Sequence, residues 1–266
     1  MKSHLTLSFL FAFTCIIYSC SKKDSDTTGT ELQKVNTTFN NVTFYYTYKR
    51  DASNKIISAT DSAKSLIITH LFEYGTNGKV SKVNFQQNGS ATTGSYEFEY
   101  NSDGTIRKRL TTPGTTNDYN TYGYDAARHL TADSLFSCGS TSVYKLVSFT
   151  QFQYTGENAT TADYYEVVSG TPQLKSSQKY EYDNGLNPFK AIEFDYYYNE
   201  SGSAIYTIIN KSRNNIVKVF AATSNGSYEQ YQTYSYQYNS QNYPLHVQSD
   251  LTVGTSKHFE VDYSYK

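Results

Sequence analysis

The chain repeats itself. Phe72-Glu73-Tyr74 runs into Gly75-Thr76-Asn77-Gly78-Lys79-Val80, and Phe98-Glu99-Tyr100 runs into Asn101-Ser102-Asp103-Gly104-Thr105-Ile106. In both copies glycine stands four residues after the tyrosine and a β-branched aliphatic residue six after. Looser copies centre on Tyr48, Tyr124, Tyr154, Tyr182, Ile209, Tyr238 and Tyr265, so the period is about 27 residues. A repeat this short is one supersecondary unit. It cannot bury its apolar face alone and must stack on its neighbours.

Within a copy the period is two. Tyr96, Phe98 and Tyr100 alternate with Glu97 and Glu99, and Tyr234, Tyr236 and Tyr238 alternate with Ser235 and Gln237. Such alternation describes an antiparallel strand with one covered and one wet face. The Asn/Asp-Gly turns supply the positive φ of a hairpin, and the stretch from Lys79 to Phe85 reads as the return strand. Each repeat is then one hairpin, and the expected fold is all-β: an antiparallel meander of roughly 16–18 strands. Open sheets rarely pass about ten strands without curling, so the meander is expected to close into a barrel-like or shell-like sheet with its aromatic face inside.

Composition agrees. With 28 Tyr, 15 Phe and no Trp, the apolar mass lies in strand-favouring aromatics, which also argues against disorder. The 23 Lys and Arg balance 24 Asp and Glu for a net charge of -1, so no nucleic-acid partner is expected.

The N-terminus reads as an address. Leu5 to Tyr18 is an apolar run too short to span a bilayer as a helix but suited to a signal-peptide core. It ends in Ile17-Tyr18-Ser19-Cys20, which resembles the bacterial lipobox, whose cysteine is acylated. Residues 1–19 are expected to be a lipoprotein signal peptide, 20–36 a flexible tether behind lipidated Cys20, and 37–266 a single hairpin-repeat domain. Cys15 would leave with the signal and Cys20 would carry lipid, so Cys138 has no intrachain partner and a disulfide framework is excluded. The Cys-Ser-Lys-Lys-Asp start looks like Bacteroidota lipoproteins, implying an outer-membrane lipoprotein on the periplasmic or the cell-surface side.

Tyr-x-Tyr, an Asn- or Asp-rich turn, glycine and an aliphatic strand together resemble the YD repeat of the RHS family, which coils into β-shells. The match covers most of residues 40–266, with degenerate copies. Tyr182-Asp183-Asn184-Gly185-Leu186 is one residue short, and Arg128 stands where the glycine after Tyr124 would fall. Together with the lipobox, the closer resemblance is to small Bacteroidota lipoproteins of unknown function with a porin-like, all-β fold. That resemblance implies no activity and brings no catalytic residues.

Chemistry is sparse. His4, His70, His129, His246 and His258 are scattered without metal-ligand spacing, and no nucleophile elbow or phosphate loop occurs, so no catalytic residue, metal or cofactor is expected. Ser142-Val143-Tyr144-Lys145 and Ser176-Ser177-Gln178-Lys179 match Ser-x-x-Lys at chance frequency and lie on no expected helix. Glu73, Glu97, Glu99, Glu181 and Glu193 read as a solvated face rather than a glycosidase pair, and Asn101 to Gly104 as a turn rather than half a calcium loop. Asp26-Thr27-Thr28, Asp61-Ser62-Ala63 and Asp133-Ser134-Leu135 resemble the Bacteroidota O-glycosylation acceptor, with Thr27, Ser62 and Ser134 as the modified residues. The aromatic ladder of Tyr74, Tyr96, Phe98, Tyr100, Tyr124, Tyr154, Tyr182 and Tyr238 serves either as core or as a surface for glycan or peptide. The expected function is a lipid-anchored, non-enzymatic binding or scaffold module of the envelope, its oligomeric state open. An outer-membrane β-barrel and an envelope glycan-acting enzyme are the alternatives.

Overall fold

The computed structural model describes residues 30–39, 42–112, 118–138, 143–191, 212–222, 226–251 and 258–266. Sixteen antiparallel strands follow one another. The first six are β1 (Leu32–Phe39), β2 (Val42–Arg50), β3 (Ile56–Ala63), β4 (Leu66–Tyr74), β5 (Val80–Gln87) and β6 (Thr92–Tyr100). Then come β7 (Ile106–Thr112), β8 (Tyr119–Tyr124), β9 (Leu130–Ser137), β10 (Lys145–Thr155) and β11 (Asn158–Val168). The last five are β12 (Thr171–Leu186), β13 (Asn214–Ala222), β14 (Tyr228–Tyr238), β15 (Pro244–Leu251) and β16 (His258–Tyr265). Each strand pairs with its neighbours in sequence, and β1 pairs with β16, so the sheet is a closed up-and-down barrel.

One end of the barrel is built from a recurring tight turn. Asn54, Gly78, Gly104, Arg128 and Asn242 occupy the same positive-φ position, and each donates its backbone N–H to the carbonyl three residues earlier. An Asx side chain fastens the turn. Asp51 Oδ1 accepts from the Ser53 and Lys55 amides, Asn239 Oδ1 from those of Gln241 and Tyr243, and Asp103 Oδ1 from that of Thr105. These local bonds favour the turn before any strand pairs. They also account for Asn101 to Gly104, whose Asp103 carboxylate is committed inside the hairpin. Arg128 takes the position of a turn glycine with φ 69°.

Every hairpin then departs from regular pairing at the same place. An extra residue stands near the start of each return strand, Ile57 in β3, Ser81 in β5, Arg107 in β7, Thr131 in β9, Thr160 in β11, Val217 in β13 and Leu245 in β15, opposite the step into Arg50, Tyr74, Tyr100, Tyr124, Tyr154, Tyr182 and Tyr238. The eighth copy is formed by the two chain ends. Leu32 pairs with Tyr265 and Lys34 with Ser264, leaving Gln33 as the bulge, and Glu31 and Lys266 exchange backbone hydrogen bonds where the turn would be. The barrel thus has eight hairpins, one of them split between the termini.

Each bulge carries a consequence for burial. A one-residue insertion flips the face of everything after it. The residue just before the bulge and the one two positions past it therefore both point inward: Leu32 and Val35, Ile56 and Ala59, Val80 and Val83, Ala159 and Ala162, Ile216 and Val219 are all buried. Tyr96, Phe72, Tyr122, Phe152, Tyr180 and Tyr265 join them from the other strands. Two clusters result, one on β1–β6, β15 and β16, the other on β7–β13. Phe98 on β6 and Tyr234 on β14, eight strands apart, pack against both. These two residues join the clusters at their two borders, so the apolar lining runs round the inner wall without a break. Outside, the alternate positions carry ion pairs such as Lys82–Glu97 at 3.0 Å and Lys218–Glu181 at 2.8 Å.

Two boundaries differ from expectation. Strand β1 begins at Leu32, inside the segment 20–36 expected to be tether, because Leu32 and Val35 are buried in the inner wall although Lys34 and Asn36 make the stretch read as polar. The repeat centre placed at Ile209 lies outside the described residues. β12 and β13 are joined by a connection that includes a short 3-10 turn, Pro188–Ala191, whose Phe189 ring packs across the barrel end against Tyr263 of β16.

Candidate functional site

The residue two positions past the bulge is Val or Ala in six of the eight hairpins: Val35, Ala59, Val83, Ala162, Val219 and Val247. In the two adjacent hairpins of β6–β9 it is Arg109 and Asp133. Charge stands there in a layer otherwise built of small aliphatic side chains. Arg109 Nη2 donates to Asn120 Oδ1 at 2.9 Å, and Asn120 Nδ2 donates to Asp133 Oδ1 at 2.7 Å, so one amide on β8 links cation and anion. Burial pushes the Asp133 carboxyl above the usual carboxylate range, opposed by the Asn120 hydrogen bond and the Arg109 charge. Burial likewise raises the neighbouring Tyr122 phenol.

The charged pair is one end of a belt along the inner wall. The Arg109 guanidinium lies 4.6 Å from the Tyr96 ring centroid. Tyr96 meets Phe85 edge-on at 4.6 Å, Phe85 meets His70 at 5.3 Å, and His70 Nε2 lies 3.3 Å from Asp61 Oδ2. Seven consecutive strands, β3 to β9, each contribute one side chain. The belt can hold charge and orient polar groups inside the barrel. Removing one member of a buried pair leaves an uncompensated charge, whereas an apolar pair in its place is often neutral or better for stability.

The ladder tyrosines are placed on the inner wall, and the hydroxyls of Tyr74, Tyr100, Tyr182 and Tyr238 donate hydrogen bonds. Tyr74 donates to the Ile56 carbonyl, Tyr100 to that of Val80 and Tyr182 to that of Ala159, at 2.7, 2.7 and 2.5 Å. Tyr96 is buried, Phe98, Tyr124 and Tyr154 are half-buried against the two clusters, and half-buried Tyr238 donates its hydroxyl to Asp183. Burial raises the Tyr154, Tyr182 and Tyr238 phenols above their ordinary range.

The structure does not gather the remaining sequence candidates into a site. Ser62 and Ser134 sit on the outer faces of β3 and β9, half-buried. Cys20, Thr27, His4, Ser142 and Glu193 lie outside the described residues. Ser177 is buried on the outer wall, bonded to Asp163 and, at 2.5 Å, to the Tyr228 hydroxyl. Glu97, Glu99 and Glu181 each pair with an exterior base, and Glu73 accepts from Asn84 at 2.5 Å. His129 and His246 pair with Asp125 and Asp262. Among the described residues no group of three His, Cys, Asp or Glu side chains could hold a metal ion.

No family model and no curated protein matches the chain. Among solved structures, a porin-like protein from Bacteroides uniformis aligns over 88% of this chain and 98% of its own, with TM-score 0.59 and 13% identity. The chain shares its fold. A second porin-like protein, from Bacteroides vulgatus, aligns over 89% and 98% with TM-score 0.47 and 13% identity. The likeness concerns the barrel; residue chemistry must be read from this chain.

Sequence reasoning missed Arg109, Asn120, Asp133, Asp61 and His70. Aligning the eight return strands from the bulge would have found the first and third, because they break an otherwise aliphatic column.

Proposed function

We propose that this chain is a non-enzymatic β-barrel protein of the bacterial envelope, carried on a lipid anchor at Cys20, with its barrel standing in water as a rigid module. The observation that supports this most is the sidedness of the wall. Membrane barrels face lipid with an apolar band and keep their polar residues inside. Here the buried Tyr, Phe, Val and Ile side chains line the inside and Lys–Glu pairs stand outside, although Tyr45, Ile67, Val147 and Leu174 are exposed and Arg109, Asn120 and His70 are buried. Phe189 lying across one end also speaks for a module rather than a conduit. The lipobox and the Lys-Lys-Asp start support the anchor, and the likeness to a porin-like Bacteroides protein supports an envelope setting. The YD-type spacing fits the eight hairpins.

That same likeness favours a second reading, a barrel inserted in the outer membrane. One experiment separates the two. Residues 30–266 refolded without detergent should be monodisperse and β-rich; folding only with detergent or lipid would establish the inserted barrel. For the anchor, Cys20→Ala should yield unprocessed or soluble protein, and an unacylated wild-type N-terminal peptide by mass spectrometry would refute it.

A further inference from the structure

The inner wall changes character on β10–β12 toward the barrel's mouth, the end opposite the tight turns. Thr150, Tyr164 and Ser176 stand side by side on the inward face, and their row runs on into Asp133 of β9. One step nearer the rim, Ser148, Glu166 and Gln173 form a second row. Lys175 is the unpaired bulge residue of β12, and its ammonium lies 3.5 Å from the Glu166 carboxylate. By register these groups face inward. Yet the Glu166 and Lys175 side chains are 48% and 38% exposed, so water reaches this part of the wall. Tyr164 differs from the ladder tyrosines beneath it. It is inward and half-buried but belongs to neither apolar cluster. Its hydroxyl has no hydrogen-bond partner among the described residues, whereas those of Tyr74, Tyr100 and Tyr182 are committed to carbonyls.

We infer that this mouth is a binding site for a short neutral saccharide, with the Tyr164 ring under one face of a sugar. A tyrosine offers a flat apolar contact at little entropic cost, and the C–H face of a pyranose ring needs such a contact. Around it stand groups that both donate and accept. The Ser148, Thr150 and Ser176 hydroxyls and the Gln173 amide match the rim of hydroxyls that a sugar presents. Charge speaks against an ionic ligand. Glu166 and Lys175 neutralise each other, yet each keeps hydrogen-bonding capacity: the carboxylate accepts from a vicinal diol, and the ammonium donates to a ring or hydroxyl oxygen. Position agrees as well. Barrel mouths are recurrent ligand sites, in which a few polar groups fix orientation over an apolar base. The base here is Phe152 and Ala162, paired one row below Tyr164 and both buried. The inference goes beyond the anchored reading and needs only that the mouth meets water.

The test is titration calorimetry of the full chain, purified in a sugar-free detergent, against maltotriose, cellotriose, xylotriose and mannotriose. At least one of these should bind saturably, at one site per barrel. Tyr164→Ala should weaken that binding by about tenfold through loss of the stacked ring. Tyr164→Phe keeps the ring and should stay within about threefold of wild type. Glu166→Ala should also weaken binding by about tenfold. Its side chain is exposed and outside both clusters, so this variant decides the matter if Tyr164→Ala does not fold. Tyr165, the next residue in the chain, points outward and stacks on Phe149 at 4.7 Å, and Tyr165→Ala should leave binding unchanged. No saturable binding of any of the four sugars overturns the inference. So does binding that persists undiminished in folded Tyr164→Ala or in Glu166→Ala, and binding lost in Tyr165→Ala would put the sugar on the outer wall instead. The anchored reading is tested separately, by acylation at Cys20 and by folding without detergent, and stands or falls independently of these titrations.

Discussion

The Tyr100 hydroxyl donates a 2.7 Å hydrogen bond to the carbonyl of Val80, the residue directly before the β5 bulge. The same relationship joins Tyr74 to Ile56, Tyr182 to Ala159, Tyr236 to Ile216 and Tyr265 to Pro244. A bulge interrupts the ladder, and a phenol from the next strand supplies the donor there. This explains why the repeat is anchored on tyrosine rather than phenylalanine.

Tyr100→Phe should therefore destabilise the barrel although it keeps the ring. Leaving a partly buried carbonyl without its donor costs about 1–2 kcal/mol. Urea denaturation of the soluble barrel measures it, and a variant as stable as wild type would show the phenol bond to be idle.

Neighbours on one strand should behave as opposites. Phe98 packs against both core clusters, so Phe98→Ala should cost about 3 kcal/mol through lost burial and a cavity. Glu97 makes only an exterior ion pair with Lys82, and Glu97→Ala should cost less than about 1 kcal/mol. Equal effects in the same urea experiment would contradict the inward and outward assignment.

Gly104 has φ 84°, a conformation that asparagine holds at the equivalent positions 54 and 242. Gly104→Asn should be nearly neutral, whereas the β-branched Gly104→Val should cost about 1–3 kcal/mol. Thermal melts of the two variants provide the comparison, and a Val variant melting with wild type would show that the turn can adopt another shape.

Asp133 should make stability fall as pH rises. Its folded pKa is raised by burial, so its favourable contribution is complete below the ordinary carboxylate pKa of 3.8 and is lost as pH climbs through the raised value. Asp133→Asn does not titrate there, so its stability relative to wild type should increase between pH 4 and pH 7. Asp51, Asp103 and Asp125 are shifted the other way by hydrogen bonds in their turns and lose stability as pH falls below 3.8, but they are common to both proteins and cancel. Arg109→Met, which strips the charge favouring ionised Asp133, should steepen the dependence. A difference between Asp133→Asn and wild type that stays flat from pH 4 to pH 7 would mean the carboxylate is not buried as described.

The inner belt was hidden from alternation by the bulge. After Ile106, strict alternation sends Lys108 and Leu110 inward, yet the extra residue Arg107 turns Arg109 in and leaves Leu110 facing out. A single inserted residue reverses a strand's faces, and no local propensity announces it. The same shift places Asp133 inside and Ser134 outside.

The sequence alone determined the hairpins. Tyrosine alternation set which face of each rising strand is covered, and Asx and glycine positions set the turns, because both act within a few residues of chain. Tertiary structure decided the rest. Closure at sixteen strands depends on β1 finding β16 across the whole chain, with the termini completing an eighth hairpin that neither end encodes alone. Arg109 and Asp133 become a pair only when two repeats lie side by side, and Phe189 reaches Tyr263 only once the wall between them has curved. These are long-range contacts, fixed by the register and curvature of the complete sheet, and a repeat read one copy at a time carries neither.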